Sequence, residues 1–466
     1  MNNNKHSLLY ILCGCELVER FVYFGVFTVL VLYLKSAFHF TDDHAFVIFG
    51  LFSALSYAFL LLGGLIADKL LGQSQSVLLA LLCLIIATLL LTRHHLSLVY
   101  YGLSIMLLGS ALLKVNLTTL VGKTADDHLQ REKNFTLFYV CMNIGAVMGP
   151  VLFGIMSHWL GWGACFYISF ALLLLIFWVL ATSSVLREFR KTEKKRLLIT
   201  ILLLFAISLL VWLLFNETQF EALAVVVIVV LSAALFIRIA KRSKKHYQKK
   251  ILGLLIIYAA TVFFFACSFQ VATSITLFIQ RDLHRTILGW LVPTPMFSAL
   301  DPLFVVLMAP LLVYLWRYLK TKGIEPYVTT KIALGIFAAS AAYFVLNFTA
   351  EASLLGAVVL PLILIVLVNV LLGGGEICLA PPVFTAATEH SPPQFTSTMI
   401  GAWFLFASFS GYIASLLSRL SSNNPLATRA VSLHIYAHAF LFVAIIALFS
   451  GLLVLLSKRL VQHLLA

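Results

Sequence analysis

Six charged residues sit inside stretches that are otherwise apolar: Glu16, Glu19, Arg20, Lys114, Asp301 and Glu376. A charge at mid-bilayer costs about 2.5–3.5 kcal/mol even on a lenient scale, so each one needs a reason to be there. Gathered in one cavity, four carboxylates and two cations make a polar centre. The structural alternatives are an internal salt-bridge knot for Glu16, Glu19 and Arg20, and satisfied pairs or span ends for Lys114, Asp301 and Glu376. Along the first apolar stretch, Glu16, Glu19, Arg20, Tyr23 and Phe27 follow the spacing i, i+3, i+4, i+7, i+11. That spacing keeps them on one helical face. A stripe that is acidic, then basic, then aromatic can line an aqueous path while the opposite face meets lipid. Farther on, Gly373, Gly374 and Gly375 precede Glu376, and Pro381 and Pro382 follow it. Glycine and proline loosen a helix where it must bend; the alternative is close packing against a neighbour.

Other chemistry is scarce. Gly122-Lys123-Thr124 has the ending of a phosphate-binding loop, but Leu117 stands where the upstream glycine is required, so ATP-driven work is unsupported. No HExxH or GxSxG occurs, and no enzyme is expected. His434 and His438 stand at i and i+4 near the end of the last span and read as interfacial histidines. The seven cysteines all fall inside apolar runs with no CxxC pair. They read as small buried hydrophobes, with neither disulfide nor metal expected.

The elements that position these groups follow from composition. Of 466 residues, 62% are hydrophobic and 11% charged, with mean hydropathy +1.04. Soluble chains carry about 45–50% apolar and about 25% charged residues, so this chain must sit in lipid. The net charge of +14 fits positive loops better than a nucleic-acid partner. A crossing helix needs about 20 apolar residues. By that length, spans fall near 7–34, 44–67, 76–92, 99–121, 135–156, 164–186, 197–215, 222–238, 251–280, 293–316, 326–346, 354–379, 396–417 and 435–456. Alternate loops hold twenty-four against six of the Lys and Arg residues, which puts both termini in the cytoplasm. Dense basic runs at 187–196 and 241–250 bracket only two spans. The expected fold is therefore an all-α membrane protein of fourteen transmembrane helices: a six-helix bundle over 1–190, a linker with a two-helix hairpin over 191–250, and a second six-helix bundle over 251–466. Six plus six is the arrangement of a two-halved secondary transporter.

The residues also resemble a known family. E-L-V-E-R-F-V-Y-F-G at 16–25 is similar to the ExxERFxYYG signature of the proton-dependent oligopeptide transporters, members of the major facilitator superfamily. G-G-L-I-A-D-K-L-L-G at 63–72, L-L-K-V-N-L-T-T-L-V-G at 112–122 and F-T-L-F-Y-V-C-M-N-I-G at 135–145 resemble further family segments. F-Q-V-A-T-S-I at 269–275, L-D-P-L-F at 300–304, G-E-I-C-L-A-P at 375–381 and G-A-W-F-L at 401–405 follow in family order. The resemblance spans nearly the whole chain, and the hairpin at 197–238 is similar to that of bacterial members.

The resemblance implies a major facilitator fold and a symporter that imports di- and tripeptides with protons by alternating access. It implies no cofactor beyond the coupling proton, and a multi-pass plasma membrane protein, in bacteria the inner membrane, functional as a monomer. Glu16, Glu19 and Arg20 match the proton-coupling cluster. Lys114 matches the lysine that pairs with it and meets the peptide carboxylate, and Glu376 the carboxylate that holds the peptide amino terminus. Tyr23, Tyr57, Asn143, Gln270 and Trp403 fall on pocket-lining positions. The departures are informative. Phe27 and Phe269 replace both members of an outer-gate ion pair, which implies a hydrophobic gate. Asp301 replaces a pocket asparagine, and two carboxylates in one poorly solvated pocket resist joint ionisation. Phe24, Val115, Ala380 and Gln73-Ser74-Gln75-Ser76 also depart from the family pattern. The rival readings are a same-fold transporter of another small organic solute, such as an amino acid, a drug-like compound or a peptidomimetic, and a non-transporting receptor. No loop is long enough for a sensor domain.

Overall fold

The computed structural model describes residues 2–93, 95–125, 128–182, 194–217, 221–424 and 427–466. Among these, fourteen helices are long and apolar enough to cross a membrane, and they match the fourteen expected spans one for one. Most of the basic run at 187–196 and the 190/191 boundary lie outside the described residues.

Packing divides the chain into two compact units, Met1–His39 with Leu51–Ala222, and Phe40–Gly50 with Leu223–Ala466. The first unit contains α1 (Asn2–Phe38), most of α2 (Asp42–Ile66), α3 (Gln73–Leu91), α4 (Leu96–Lys123), α5 (His128–Trp159), α6 (Trp162–Thr182) and α7 (Lys194–Asn216). A π-helical turn, Ala67–Leu71, extends α2. The second unit contains nearly all of α8 (Glu221–Arg242), then α9 (Lys245–Ser268), α10 (Ser274–Asp282) and α11 (Pro295–Ser298). It continues through α12 (Leu300–Thr321), α13 (Val328–Leu354), α14 (Val359–His390), α15 (Thr396–Arg419), α16 (Arg429–Leu456) and α17 (Lys458–Leu465). Strands Thr286–Ile287 and Trp290–Leu291 form a small antiparallel hairpin that the all-helical expectation did not contain. It closes through Leu288 and Gly289, both at positive φ, as a two-residue hairpin turn requires.

The helices of the hairpin segment pack separately. In the first unit, α7 lies along α4: Trp212 Nε1 donates to the Ser97 carbonyl at 3.1 Å, and Phe215 stacks on Tyr100. In the second unit, Phe236 of α8 is buried against Phe406 of α15. The boundary between the units falls at the start of α8, within the segment read from sequence as the hairpin linker.

Two close approaches set the positions of the charged helices. On α5, Gly145 and Gly149 face α1: a Cβ at Gly145 would lie 2.4 Å from the Leu17 carbonyl oxygen, and one at Gly149 2.6 Å from that of Phe21. This small-xxx-small pairing lets two backbones meet and fixes α1 at its charged turn. On α14, a Cβ at Gly373 would lie 2.9 Å from the backbone nitrogen of Val305 on α12, and one at Gly375 2.9 Å from the Gly335 carbonyl on α13. α14 is helical through these glycines and through Pro381 and Pro382. The glycines serve close packing, the alternative that the sequence left open.

A break does occur where no glycine or proline signals it. The span read as continuous over 251–280 is interrupted by a 3₁₀ turn, Phe269–Ala272, and Thr273 has φ −125° and ψ −99°. Hydroxyl side chains stabilise the break. Ser274 Oγ donates to Gln270 Oε1 at 2.8 Å, and Thr273 Oγ1 and Ser418 Oγ of α15 lie 2.7 Å apart. Side chains of this kind offer backbone and neighbours an alternative to the helical ladder.

Candidate functional site

In the first unit, one turn of α1 carries three charged side chains, all nearly inaccessible: Glu16 and Glu19 are 1% exposed and Arg20 is 4% exposed. Arg20 lies between the two carboxylates. Its Nε and NH2 contact Glu19 Oε2, and its Nε lies 3.4 Å from Glu16 Oε1. The guanidinium also sits 5.1 Å from the Tyr23 ring centroid and 5.9 Å from that of Phe24, positions in which a cation is attracted to the ring face. Lys114 of α4 acts electrostatically on both glutamates. The cluster therefore holds two acids and two bases. Both Glu16 oxygens and Glu19 Oε1 are buried and accept no hydrogen bond among the described residues. Unfilled acceptors on buried carboxylates are places where a proton can be held.

The structure thus brings together Glu16, Glu19, Arg20, Tyr23 and Lys114. Tyr23 also lies beside Ser56 of α2, and Tyr57 is the next residue on that helix. Asn143 lies on α5, where its Nδ2 donates to the Tyr139 carbonyl of its own helix at 2.8 Å. Phe27 is buried in an aromatic group of this unit, stacked on Tyr23 at 5.8 Å, and Tyr23 is stacked on Phe52 at 6.1 Å.

In the second unit the charge arrangement differs. Asp301 opens α12 and Glu376 lies in the middle of α14, and each acts on the other's charge. Neither makes an ion pair among the described residues. Asp301 Oδ1 is buried with no hydrogen-bond partner. Two acids thus act on each other's charge with no ion-pair partner for either among the described residues. Gln270 sits in the break between α9 and α10, 1% exposed; its Oε1 accepts from Ser274, and its Nε2 is buried without a partner. Trp403 of α15 donates from Nε1 to Thr261 Oγ1 at 3.0 Å. Its ring meets Phe384 at 4.6 Å and Phe265 at 5.7 Å, and Phe265 in turn contacts Phe269 at 6.1 Å.

One constellation was missed by the sequence reading, which counts Arg281 with the loop charges and passes over Asp42. Both belong to the second unit, because residues 40–50 pack there. Arg281 donates from NH1 and NH2 to the two Asp42 oxygens at 2.6 Å each, and the Asn423 amide adds a bond to Asp42 Oδ2 at 3.1 Å. Ser422 bonds the neighbouring Asp43. A bidentate Arg–carboxylate pair of this kind is strong and directional. The two residues stand 239 positions apart, and no local spacing announces them.

Known proteins are similar to this chain over most of its length. A family model described as the POT family matches residues 45–433. A dipeptide and tripeptide permease A from Erwinia pyrifoliae is 26% identical over 97% of this chain and 94% of its own length. A peptide transporter from Yersinia enterocolitica is 28% identical over 86% of this chain and 85% of its own. A crystal structure of a peptide transporter POT in complex with sulfate superposes with TM-score 0.85 at 22% identity, covering 98% of this chain and 95% of that one. A structure described as tetrameric PepTSo2 gives TM-score 0.83 at 21% identity, covering 99% of each chain. These likenesses establish the fold.

Proposed function

The chain belongs to the POT family, and from that membership we propose that it is a symporter that imports di- and tripeptides together with protons by alternating access. It is a multi-pass membrane transporter rather than an enzyme. The observation that carries the reading is the buried turn of α1, with Arg20 held between two carboxylates and Lys114 acting on both. Here Glu16 and Glu19 are the proton acceptors, since their oxygens have unfilled capacity. Protonating one of them loosens its hold on Arg20 and Lys114, which frees a cation to take the carboxylate of a peptide. In the second unit, Asp301 and Glu376 are the partners for an ammonium group. Tyr23, Tyr57 and Asn143 of the first unit and Gln270 and Trp403 of the second are substrate-binding residues in this reading, and Phe27 and Phe269 are gate residues, each in its own unit. Both termini lie in the cytoplasm, and the single chain is the functional unit.

Proton entry is worth about 2.3 kcal/mol per charge per 100 mV. Since about 1.4 kcal/mol is tenfold, one proton can sustain roughly fifty-fold accumulation. The test is uptake of a labelled dipeptide into proteoliposomes with and without an inward proton gradient. Accumulation above equilibrium only with the gradient is expected. Equal accumulation in both conditions, or none with any dipeptide, refutes the reading. The second reading, a carrier of another small organic solute, draws support from the unpaired carboxylate at Asp301. Competition by free amino acids or amines stronger than by dipeptides would select it.

A further inference from the structure

The second unit contains a cavity of about 400 Å³ whose walls include none of the residues assigned above. It lies where the ends of α12 and α14 meet the start of α13, near Lys320 in the last turn of α12 and Lys322 just after it. Its size is within the range of ligand sites, roughly 300–1,000 Å³. Its walls include Val313, Trp316, Glu325, Tyr327, Lys331 and Glu389.

The charges on this wall are unequally committed. Glu325 is engaged by Lys320 at 2.7 Å, and that hydrogen bond holds its carboxyl below the ordinary carboxylate range. Lys331 lies 5.1 Å over the Trp316 ring. Among the described residues it makes no ion pair, and neither does Glu389. One cation and one anion therefore line the same cavity without a direct ion pair for either, while Lys331 acts at longer range on Glu325 and Glu389 on His390 of the same wall. A ligand that satisfies both carries a negative and a positive group.

The surroundings indicate where that ligand comes from. Val313 on the wall is 47% exposed, and Val306, Leu307, Leu311 and Tyr314 on the same helix are exposed as well. An apolar, outward-facing helix surface thus leads into a polar cavity at the helix end. Trp316 and Tyr327 stand at that junction, where amphipathic rings are enriched at membrane interfaces. Basic residues at the same end suit the phosphate level of a leaflet.

We propose that this cavity binds the headgroup of a phospholipid that carries both a phosphate and a primary ammonium, as phosphatidylethanolamine does. Lys331 meets the phosphate, Glu389 meets the ammonium, and the acyl chains lie along α12. A trimethylated headgroup has no N–H to donate to Glu389. A glycerol headgroup has no cation for it.

The test uses the purified full-length protein in detergent, with lipid binding followed by native mass spectrometry and by the shift in melting temperature. Phosphatidylethanolamine, phosphatidylcholine and phosphatidylglycerol are titrated separately. The ethanolamine lipid is expected to bind roughly tenfold more tightly than the other two, a difference of about 1.4 kcal/mol. Glu389→Gln should bring it down to the level of phosphatidylcholine. Lys331→Ala should weaken all three lipids, and Lys331→Arg should restore binding in a protein of the same fold. Equal binding of the ethanolamine and choline lipids by the unaltered protein would overturn the proposal, as would tighter binding of phosphatidylglycerol. An unchanged ethanolamine preference in folded Glu389→Gln protein would overturn it too. Displacement of the lipid by a dipeptide would assign the cavity to the transported solute instead.

Discussion

Each unit carries a pair of carboxylates within its spans, fully buried in the first and partly buried in the second, and compensates them differently. In the first, Glu16 and Glu19 share one turn with Arg20 and feel Lys114, so the cluster is neutral in its charged form. In the second, Asp301 acts on the charge of Glu376, and neither has an ion-pair partner among the described residues. The contrast separates two tasks. A balanced cluster can stay charged in a poorly solvated place, and a proton arriving there changes which cation is held. An unbalanced pair is costly until something positive arrives, whether a proton or a ligand ammonium. The first arrangement suits coupling and the second suits recognition.

The largest effect is expected on the balanced side. Glu19→Gln or Lys114→Ala should abolish gradient-driven dipeptide uptake in proteoliposomes, while gradient-free exchange persists in the glutamate variant. Proton-driven uptake unchanged in both variants would end the assignment of coupling to the first unit.

On the unbalanced side, Asp301→Asn removes one acid and leaves Glu376 with a neutral neighbour. Two linked changes are expected: a shifted pH profile of uptake, and loss of the advantage of lysyl over neutral dipeptides by roughly tenfold, about 1.4 kcal/mol. The same pH profile and the same ranking in the variant would mean that Asp301 acts only as a stand-in for asparagine.

How far these groups were legible from sequence depends on the range of the signal. The spans were legible because a run of about 20 consecutive apolar residues has the length that a bilayer crossing needs. The α1 cluster was legible because its members are spaced by one helical turn. Burial was not legible from hydropathy. The more apolar α7 and α8 bury only 22% and 18% of their spanning windows, whereas the less apolar α1 buries 78% of its own. Apolar surface is at home against lipid, so high hydropathy does not bury a helix, and α12, which carries Asp301, also buries only 22% of its window. The break at Phe269–Ala272 contains neither glycine nor proline, and its stabilising partner Ser418 is distant in sequence. Asp42 and Arg281 were hidden for the same reason.

The glycines that place each charged helix provide a smaller, structural test. Gly145→Ala pushes a Cβ toward the Leu17 carbonyl, where no flexible atom can yield. It should destabilise by about 1–3 kcal/mol, as overpacking does, and lower the melting temperature in detergent. Gly374→Ala meets only Met308 Cγ at 3.9 Å and should leave the melting temperature near that of the parent. Equal losses from both would mean that the α1–α5 approach is not what holds the charged turn in place.

A further test sharpens the contrast from inside the second unit, where Asp42 is a carboxylate with its cation in place. Its side chain is 2% exposed, and Arg281 grips it with two bonds of 2.6 Å. Next to it, Asp43 is 56% exposed and faces Arg419 at 3.9 Å. An exposed pair of that kind contributes about 0–1 kcal/mol. Losing a charge-assisted hydrogen bond in a part-buried pair costs more, about 1.5–3 kcal/mol. Asp42→Asn should therefore lower thermal stability measurably, and Asp43→Asn should not. Arg281→Ala should cost more than Arg281→Ala combined with Asp42→Ala, because the single change strands a buried carboxylate and the double change removes it. If the single and double variants are equally stable, a lone carboxylate in this unit carries no penalty. The uncompensated state of Asp301 and Glu376 would then lose its force as an argument for recognition.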